Sequence, residues 1–207
     1  MKKIDIEVVD DFLSPRYFTR IKNVIMSDNQ PWHFNGNIST KNQTKDVRSY
    51  GFHNHIVKER NMLVEEATSY LLSGLIHQAQ DYCDRDNILR CRLDMVTRSS
   101  TEKYQHEPHV DFTPYKPNLI STIFYIMDSD AKTVIFNEKQ RALDGNKSNW
   151  NDLELTVKKK ILPKENRIVF FDDDKYNFTE INLVTDIKTI LINHENGVTF
   201  DDINFLI

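Results

Sequence analysis

Leu89-Arg90-Cys91-Arg92-Leu93-Asp94-Met95 is the stretch that sets the fold class. Four apolar residues, Leu89, Cys91, Leu93 and Met95, alternate with Arg90, Arg92 and Asp94. A period of two puts successive side chains on opposite faces of an extended chain, so the stretch reads as a half-buried β-strand. Downstream, residues 119–127, 132–136, 153–157, 167–171 and 188–193 read as further strands. Many short strands with polar turns between them fit a double-sheet architecture such as a jelly roll. Residues 137–151 form a polar insertion, with Asp144-Gly145 as its turn signal.

Upstream of this stretch the period is helical. Residues 4–9 suit a short strand, and Ser14-Pro15 then supplies a hydroxyl N-cap and a proline at the first helical position. Tyr17, Phe18, Ile21, Val24 and Ile25 follow at helical spacing. Pro31-Trp32-His33-Phe34 is an aromatic cluster, and residues 35–49 are polar and read as irregular. A second helix is expected over residues 58–80. Its stripe is Leu63, Ala67, Tyr70, Leu71, Leu75 and Gln78, and Glu59, Glu65 and Glu66 load the early turns. The expectation is an α+β chain, mainly β, with N-terminal helices packed on one sheet. With no repeat and no linker, residues 1–207 read as one domain: a helical part over 1–87, a β core over 88–196 and an extension over 197–207.

Composition narrows the function classes. A chain of 207 residues with 39% hydrophobic and 11% aromatic residues has enough apolar material for a substantial core. A net charge of −4 with both signs interspersed argues against nucleic acid or an anionic membrane as the main partner. No apolar run approaches the roughly 20 residues of a membrane span. Met1-Lys2-Lys3-Ile4-Asp5 lacks the apolar core of a signal peptide, which predicts a protein that is not secreted. Cys83 and Cys91 match no metal spacing and suit a reduced, intracellular setting.

The chemistry-bearing motif is His109-Val110-Asp111. Residues two apart on a strand share a face, so both side chains can aim into a barrel mouth. An imidazole and a carboxylate are two thirds of the facial triad that suits Fe(II) and leaves positions open for a co-substrate and O2. The competing reading is a hydrogen-bonded pair at a strand end. His53 and His55 have ligand-like spacing without a nearby acid and read as surface or hydrogen-bonded histidines, and His106 is a candidate to support His109. No Gly-x-Ser-x-Gly elbow and no phosphate loop is present.

Several blocks together carry a resemblance. Residues 104–112 (YQHEPHVDF), 119–125 (LISTIFY), 132–136 (KTVIF), 163–172 (PKENRIVFFD) and 188–193 (KTILIN) resemble the 2-oxoglutarate/Fe(II)-dependent oxygenases, in particular the small oxygenase-like proteins of tailed phages, marine cyanophages above all. Asp10-Asp11-Phe12-Leu13 and Gln30-Pro31-Trp32-His33-Phe34 are similar to the opening helix and aromatic segment of those proteins. The resemblance extends to about Asn196 and implies a double-stranded β-helix (jelly roll), with Fe(II) and 2-oxoglutarate as cofactors if the chain is active. The phage likeness implies a place in the cytoplasm of an infected bacterium or on the virion, with a protein or a particle component as partner.

Set on that pattern, His109 and Asp111 match the first two iron ligands. The distal histidine falls about five residues after Phe171-Asp172, where this chain has Asn177. A neutral amide is a poor ligand for divalent iron beside imidazole. Asp172, Asp173 and Asp174 lie nearby in a turn, and His194 stands at the far end of the last strand. The arginine that clamps the far carboxylate of 2-oxoglutarate is replaced at Lys188 and Thr189, and lysine lacks its bidentate fork. Tyr125 is a further candidate for the co-substrate carboxylate, and Ala131-Lys132 stand where the pattern has small residues. Two function classes follow: a binding or assembly module built on a degenerate oxygenase, or an active Fe(II)/2-oxoglutarate hydroxylase acting on a protein or small molecule.

Overall fold

The alternation around Leu93 becomes one long strand at the centre of a two-sheet β structure. A computed structural model describes residues 2–36, 50–58, 61–62, 66–97, 104–105, 108–110, 119–139, 154–172, 175–181 and 187–195. In chain order these form β1 (Ile6–Val9), α1 (Pro15–Ile25), β2 (His33–Asn35), β3 (Gly51–Lys58), β4 (Asn61–Met62), α2 (Glu66–Cys83), β5 (Asn87–Val96), β6 (Tyr104–Gln105), β7 (Ile120–Tyr125), β8 (Lys132–Lys139), β9 (Val157–Ile161), β10 (Ile168–Asp172), β11 (Lys175–Ile181) and β12 (Ile187–Glu195).

Among the described residues the larger sheet has the order β1-β10-β7-β12-β5-β3-β2, with β4 paired to β3, and the smaller has the order β6-β11-β8-β9. From β5 onward the chain crosses repeatedly between them: β5, β7, β10 and β12 lie in the larger sheet, β6, β8, β9 and β11 in the smaller. All pairings are antiparallel. This is the wiring of a jelly roll.

Around β7 and β10 the larger sheet is covered on both faces, and those strands show it. β10 reads Ile-Val-Phe-Phe-Asp without alternation because both faces are buried. Ile168 and Phe170 join one core with Phe18, Ile21 and Ile25 of α1 and Leu72, Leu75, Ile76, Ala79 and Cys83 of α2. Val169 and Phe171 join a second core with Tyr125, Ala131, Ile135 and Ile161, which lies between the sheets. Phe170 stacks on Tyr82 at 4.6 Å and meets Phe12 edge-on at 5.9 Å. β9, Val-Lys-Lys-Lys-Ile, is exposed except for Ile161. It is an edge strand, and lysines there discourage pairing with another chain.

Several sequence expectations need correction. Ser14 stands at the N-cap of α1, but its side chain makes no capping hydrogen bond; its carbonyl accepts from the Phe18 amide at 3.0 Å. The second helix begins at Glu66, because Val57 and Lys58 end a strand in register with Met62 and Asn61. Lys58, Asn61 and Met62, expected in the helix, are paired into a sheet instead, and that pairing overrides the helical pattern. Its buried stripe is Leu72, Leu75, Ile76, Ala79 and Cys83, while Tyr70 is 76% exposed. The strand expected over 153–157 runs instead over Val157–Ile161, hidden in a lysine run, and β2, β3, β6 and β11 had no sequence signal strong enough to name. The N-terminal part therefore holds four strands among its described residues as well as two helices.

The helices meet at a glycine. The Tyr17 hydroxyl donates to the Leu71 carbonyl and accepts from the Leu75 amide at 3.0 Å. A Cβ on Gly74 would lie 2.8 Å from that hydroxyl. Gly74→Ala should therefore destabilise by about 1–3 kcal/mol through overpacking, against the ~1 kcal/mol that alanine gains in helix propensity. Urea denaturation reads the difference, and a neutral result would mean that Tyr17 moves aside without loss.

A second clasp sits at Asn166, whose φ is 60°. Its side-chain oxygen accepts from the Leu13 amide at 2.9 Å and its side-chain nitrogen donates to the Leu13 carbonyl at 2.8 Å. Its own carbonyl accepts from the Phe12 amide at 3.0 Å, and its amide donates to the Tyr125 carbonyl at 3.1 Å. One residue thus ties the start of α1 to the turn before β10 and the end of β7.

Candidate functional site

The register of the larger sheet sorts its residues into two faces. Tyr125, Val169 and Phe171 point between the sheets; Phe124, Ile168, Phe170, Ile190 and Ile192 belong to the core shared with the helices. Cross-strand partners share a face. Tyr125 pairs with Thr189, Thr189 with Asp94, Asp94 with His53 and His53 with His33, so one row runs from the inter-sheet interior out to β2. The next row holds Ile123, Leu191, Arg92 and His55, and the one after it Ser121, Asn193 and Arg90.

These inward rows are polar where a plain core would be apolar. The Tyr125 hydroxyl donates to the Thr133 hydroxyl at 2.7 Å across the interior, and burial pushes its phenol far above the usual range. Arg90 donates from Nε to the Asn193 side-chain oxygen at 2.9 Å. Asn193, fully buried, donates on to the Ser121 hydroxyl at 2.8 Å. Arg92 Nε lies 2.7 Å from Asp94 Oδ1. Buried polar chains of this kind hold side chains in fixed orientations.

The residues singled out in the sequence are placed as follows. His109 is half-buried between Pro108 and Val110. Asp111, Asp173, Asp174 and His106 lie outside the described residues. Position 177 of β11 pairs with Ile135, a residue of the inter-sheet core. Thr189 pairs with Asp94 and Tyr125 in the inward row of β12. Position 188 pairs with Met95, and the register stays regular until Asn193. By register, position 188 falls in step with positions 190 and 192. Asp172 ends β10 and is half-buried, and His194 lies just past the register shift at Asn193, paired with Ile120.

Sequence reading missed Arg90, Arg92, Asp94, Ser121 and Asn193 as a group. The alternation did put the two arginines and Asp94 on one face, yet nothing local says that a second sheet covers part of it. His53 and His55, read as ordinary histidines, sit on β3 in the same rows, with ring centroids 5.0 Å apart and His33 6.3 Å from His53.

Burial holds the His53 imidazole below its ordinary 6.5, and the positive charge of Arg92 and the proximity of His33 add to the effect against Asp94. A histidine with a depressed folded-state pKa binds fewer protons folded than unfolded, so its contribution is lost as pH falls from 6.5 toward the folded value. Thermal midpoints measured between pH 7.5 and 5 should fall on acidification, and His53→Gln should flatten that slope. An unchanged slope in the variant would assign it to other groups. The thiols of Cys83 and Cys91 are free and buried, and burial pushes them to about 11 and about 12, which keeps them protonated at neutral pH.

No protein-family description and no curated protein matches the sequence. Solved structures do. A 2OG-Fe(II) oxygenase family oxidoreductase from Burkholderia pseudomallei superposes with a TM-score of 0.65 at 12% identity, over 93% of this chain and 87% of that one. A Trichoplax adhaerens prolyl hydroxylase, in complex with a hypoxia inducible factor peptide fragment, gives 0.61 at 11% identity, over 93% and 84%. The epimerase SnoN of nogalamycin biosynthesis, in complex with Fe3+ and alpha ketoglutarate, gives 0.62 at 7% identity, over 93% and 79%. The fold is that of the 2-oxoglutarate/Fe(II) oxygenases.

Of the places that the sequence pattern assigns to iron and 2-oxoglutarate, the described residues include His109, Tyr125 and Thr189 and the backbone positions 177 and 188. The position nearest the distal iron ligand in the sequence pattern carries an amide, Asn177, at the position paired with Ile135. The inward positions of β12 are Ile187, Thr189, Leu191 and Asn193, none of them a cation. Among the described residues no group of three His, Cys, Asp or Glu side chains is placed to hold a metal ion. No helix among them is long and apolar enough to cross a membrane.

Proposed function

We propose that the chain is an oxygenase-fold binding or assembly module in which the iron and 2-oxoglutarate places are degenerate, serving a tailed phage as an accessory or virion-associated protein. The register of β12 carries this reading. It leaves Lys188, the only cation near the start of that strand, in the row of Met95 rather than in the row of Thr189 and Tyr125. A co-substrate dicarboxylate entering between the sheets meets no cation from β12. Iron would meet an imidazole, a carboxylate and an amide, a weaker set than the facial triad.

The phage setting is supported by the order of the sequence blocks and is independent of the metal. A protein partner is supported by the fold: one neighbour holds a peptide fragment.

Anaerobic thermal unfolding with Fe(II), or Mn(II) in its place, and 2-oxoglutarate is the direct test. At about 1 mM of each, ligand linkage gives a rise of several degrees if the sites are competent. The module reading expects a shift of less than about 1 °C. A rise of several degrees, together with succinate release from the Fe(II) sample once O2 is admitted, would overturn it and establish an active hydroxylase.

A further inference from the structure

The Tyr17 hydroxyl occupies a place in α2 that ordinarily belongs to the helix backbone. It accepts from the Leu75 amide at 3.0 Å and donates to the Leu71 carbonyl. Residues 71 and 75 are four apart, so this amide and this carbonyl are the two ends of one i→i−4 rung. A side chain of α1 is thus set into the hydrogen-bond ladder of α2. We propose that Tyr17 is a releasable bolt between the two helices. In one arrangement of α2 the hydroxyl fills the rung; in the other the hydroxyl is withdrawn and the rung closes directly.

Three observations carry it. First, the two groups that the hydroxyl would leave behind are each other's natural partners. Withdrawing a hydroxyl from a helix interface ordinarily strands its donor and its acceptor, and a stranded buried group bears its full desolvation penalty. Here the Leu75 amide and the Leu71 carbonyl re-pair instead. Second, the hydroxyl has water to turn to. Tyr17 and Leu71 are half-buried and Gly74 is exposed, so the joint lies at the surface. All three polar groups are therefore satisfied in both arrangements. Third, α2 is notched for the ring. A Cβ on Gly74 would lie 2.8 Å from the hydroxyl oxygen, 3.1 Å from Cζ and 3.2 Å from Cε1. Glycine weakens a helix interior, and here it gives the ring its seat.

The bolt bears on how the helices sit. A side chain inserted into the ladder bends a helix, and closing the rung straightens it. Phe18, Ile21 and Ile25 of α1 share one core with Leu72, Leu75 and Ile76 of α2. The chain just before α1 is pinned at Phe12 and Leu13 by Asn166, and Tyr17 lies in the first turn beyond that anchor. Release of the bolt is then a small shear of α2 against an anchored α1, the sliding of packed helices rather than a hinge.

The experiment uses the full 15N,13C-labelled chain and its Tyr17→Phe variant, which keeps the ring and removes the hydroxyl. The NMR coupling across the hydrogen bond from the Leu75 nitrogen to the Leu71 carbonyl carbon reads the direct rung. It should be weak or missing in the parent and should appear in Tyr17→Phe at the size of the neighbouring rungs. Hydrogen exchange of the Leu75 amide should stay within about threefold of the parent, because one partner replaces another. Relaxation dispersion should show exchange on the μs–ms scale at Gly74 and Leu75 in the parent, and Tyr17→Phe should remove it. The proposal is overturned by a coupling of equal size in both proteins, by a Leu75 amide that exchanges roughly tenfold faster or more in Tyr17→Phe, or by dispersion that is missing from the parent or survives in the variant.

Discussion

Asn177→His should give the chain a metal affinity that the parent lacks. The substitution puts an imidazole at the position paired with Ile135, and on the proposed reading it would complete a two-histidine, one-carboxylate set with His109 and Asp111. A metal present at a hundred times its dissociation constant stabilises by about 2.7 kcal/mol, which for a chain of this length is a rise of roughly 5–10 °C. Thermal unfolding with and without Mn(II) measures it, and parent and variant must be compared at the same metal concentration. 2-Oxoglutarate should add little to the rise, because Lys188 stays in the row of Met95. Equal shifts in parent and variant would mean that Asn177 is not the defect and that the iron place is already competent.

Asn166→Ala should be among the most damaging single substitutions, at about 3–5 kcal/mol, and should lower the melting temperature by roughly 8–15 °C. Two effects add. The side chain satisfies both the amide and the carbonyl of Leu13, which is 1% exposed, and without it both groups are left unsatisfied. The backbone at φ 60° is tolerated by asparagine and resisted by alanine. Asn166→Gly separates the two, since glycine accepts the backbone but supplies no side chain. Glycine should recover about 1 kcal/mol of the loss and no more. Full recovery in the glycine variant would show that the backbone angle alone matters and that the bonds to Leu13 contribute nothing.

Strands with one covered face were legible because alternation is local. Arg90, Arg92 and Asp94 against Cys91 and Leu93 say "strand" without knowledge of any neighbour. Strands named by their neighbours were not legible. β9 is a lysine run that becomes a strand by pairing with β8, and β3 carries Phe52-His53-Asn54-His55, whose pattern is set by β5 beside it. The end of β3 and the short β4 were absorbed into a helical reading for the same reason: Glu59, Glu65 and Glu66 look like a helix start until Val57 is seen opposite Met62.

The same division holds at the site. The order of blocks around His109 and Asp111 pointed to the jelly roll, and the count from Phe171-Asp172 to Asn177 located an amide where the pattern has a histidine. Those facts depend on residue identity and spacing, which the sequence states outright. That position 188 falls in step with positions 190 and 192, and position 189 with Tyr125, depends on a register that stays regular to Asn193, and register is a property of paired strands. The meeting of Arg92, Asp94, His53 and His33 brings together residues from three strands far apart in the chain. Only the pairing of β2, β3 and β5 within one sheet makes those side chains neighbours, and no local pattern in the sequence states that pairing.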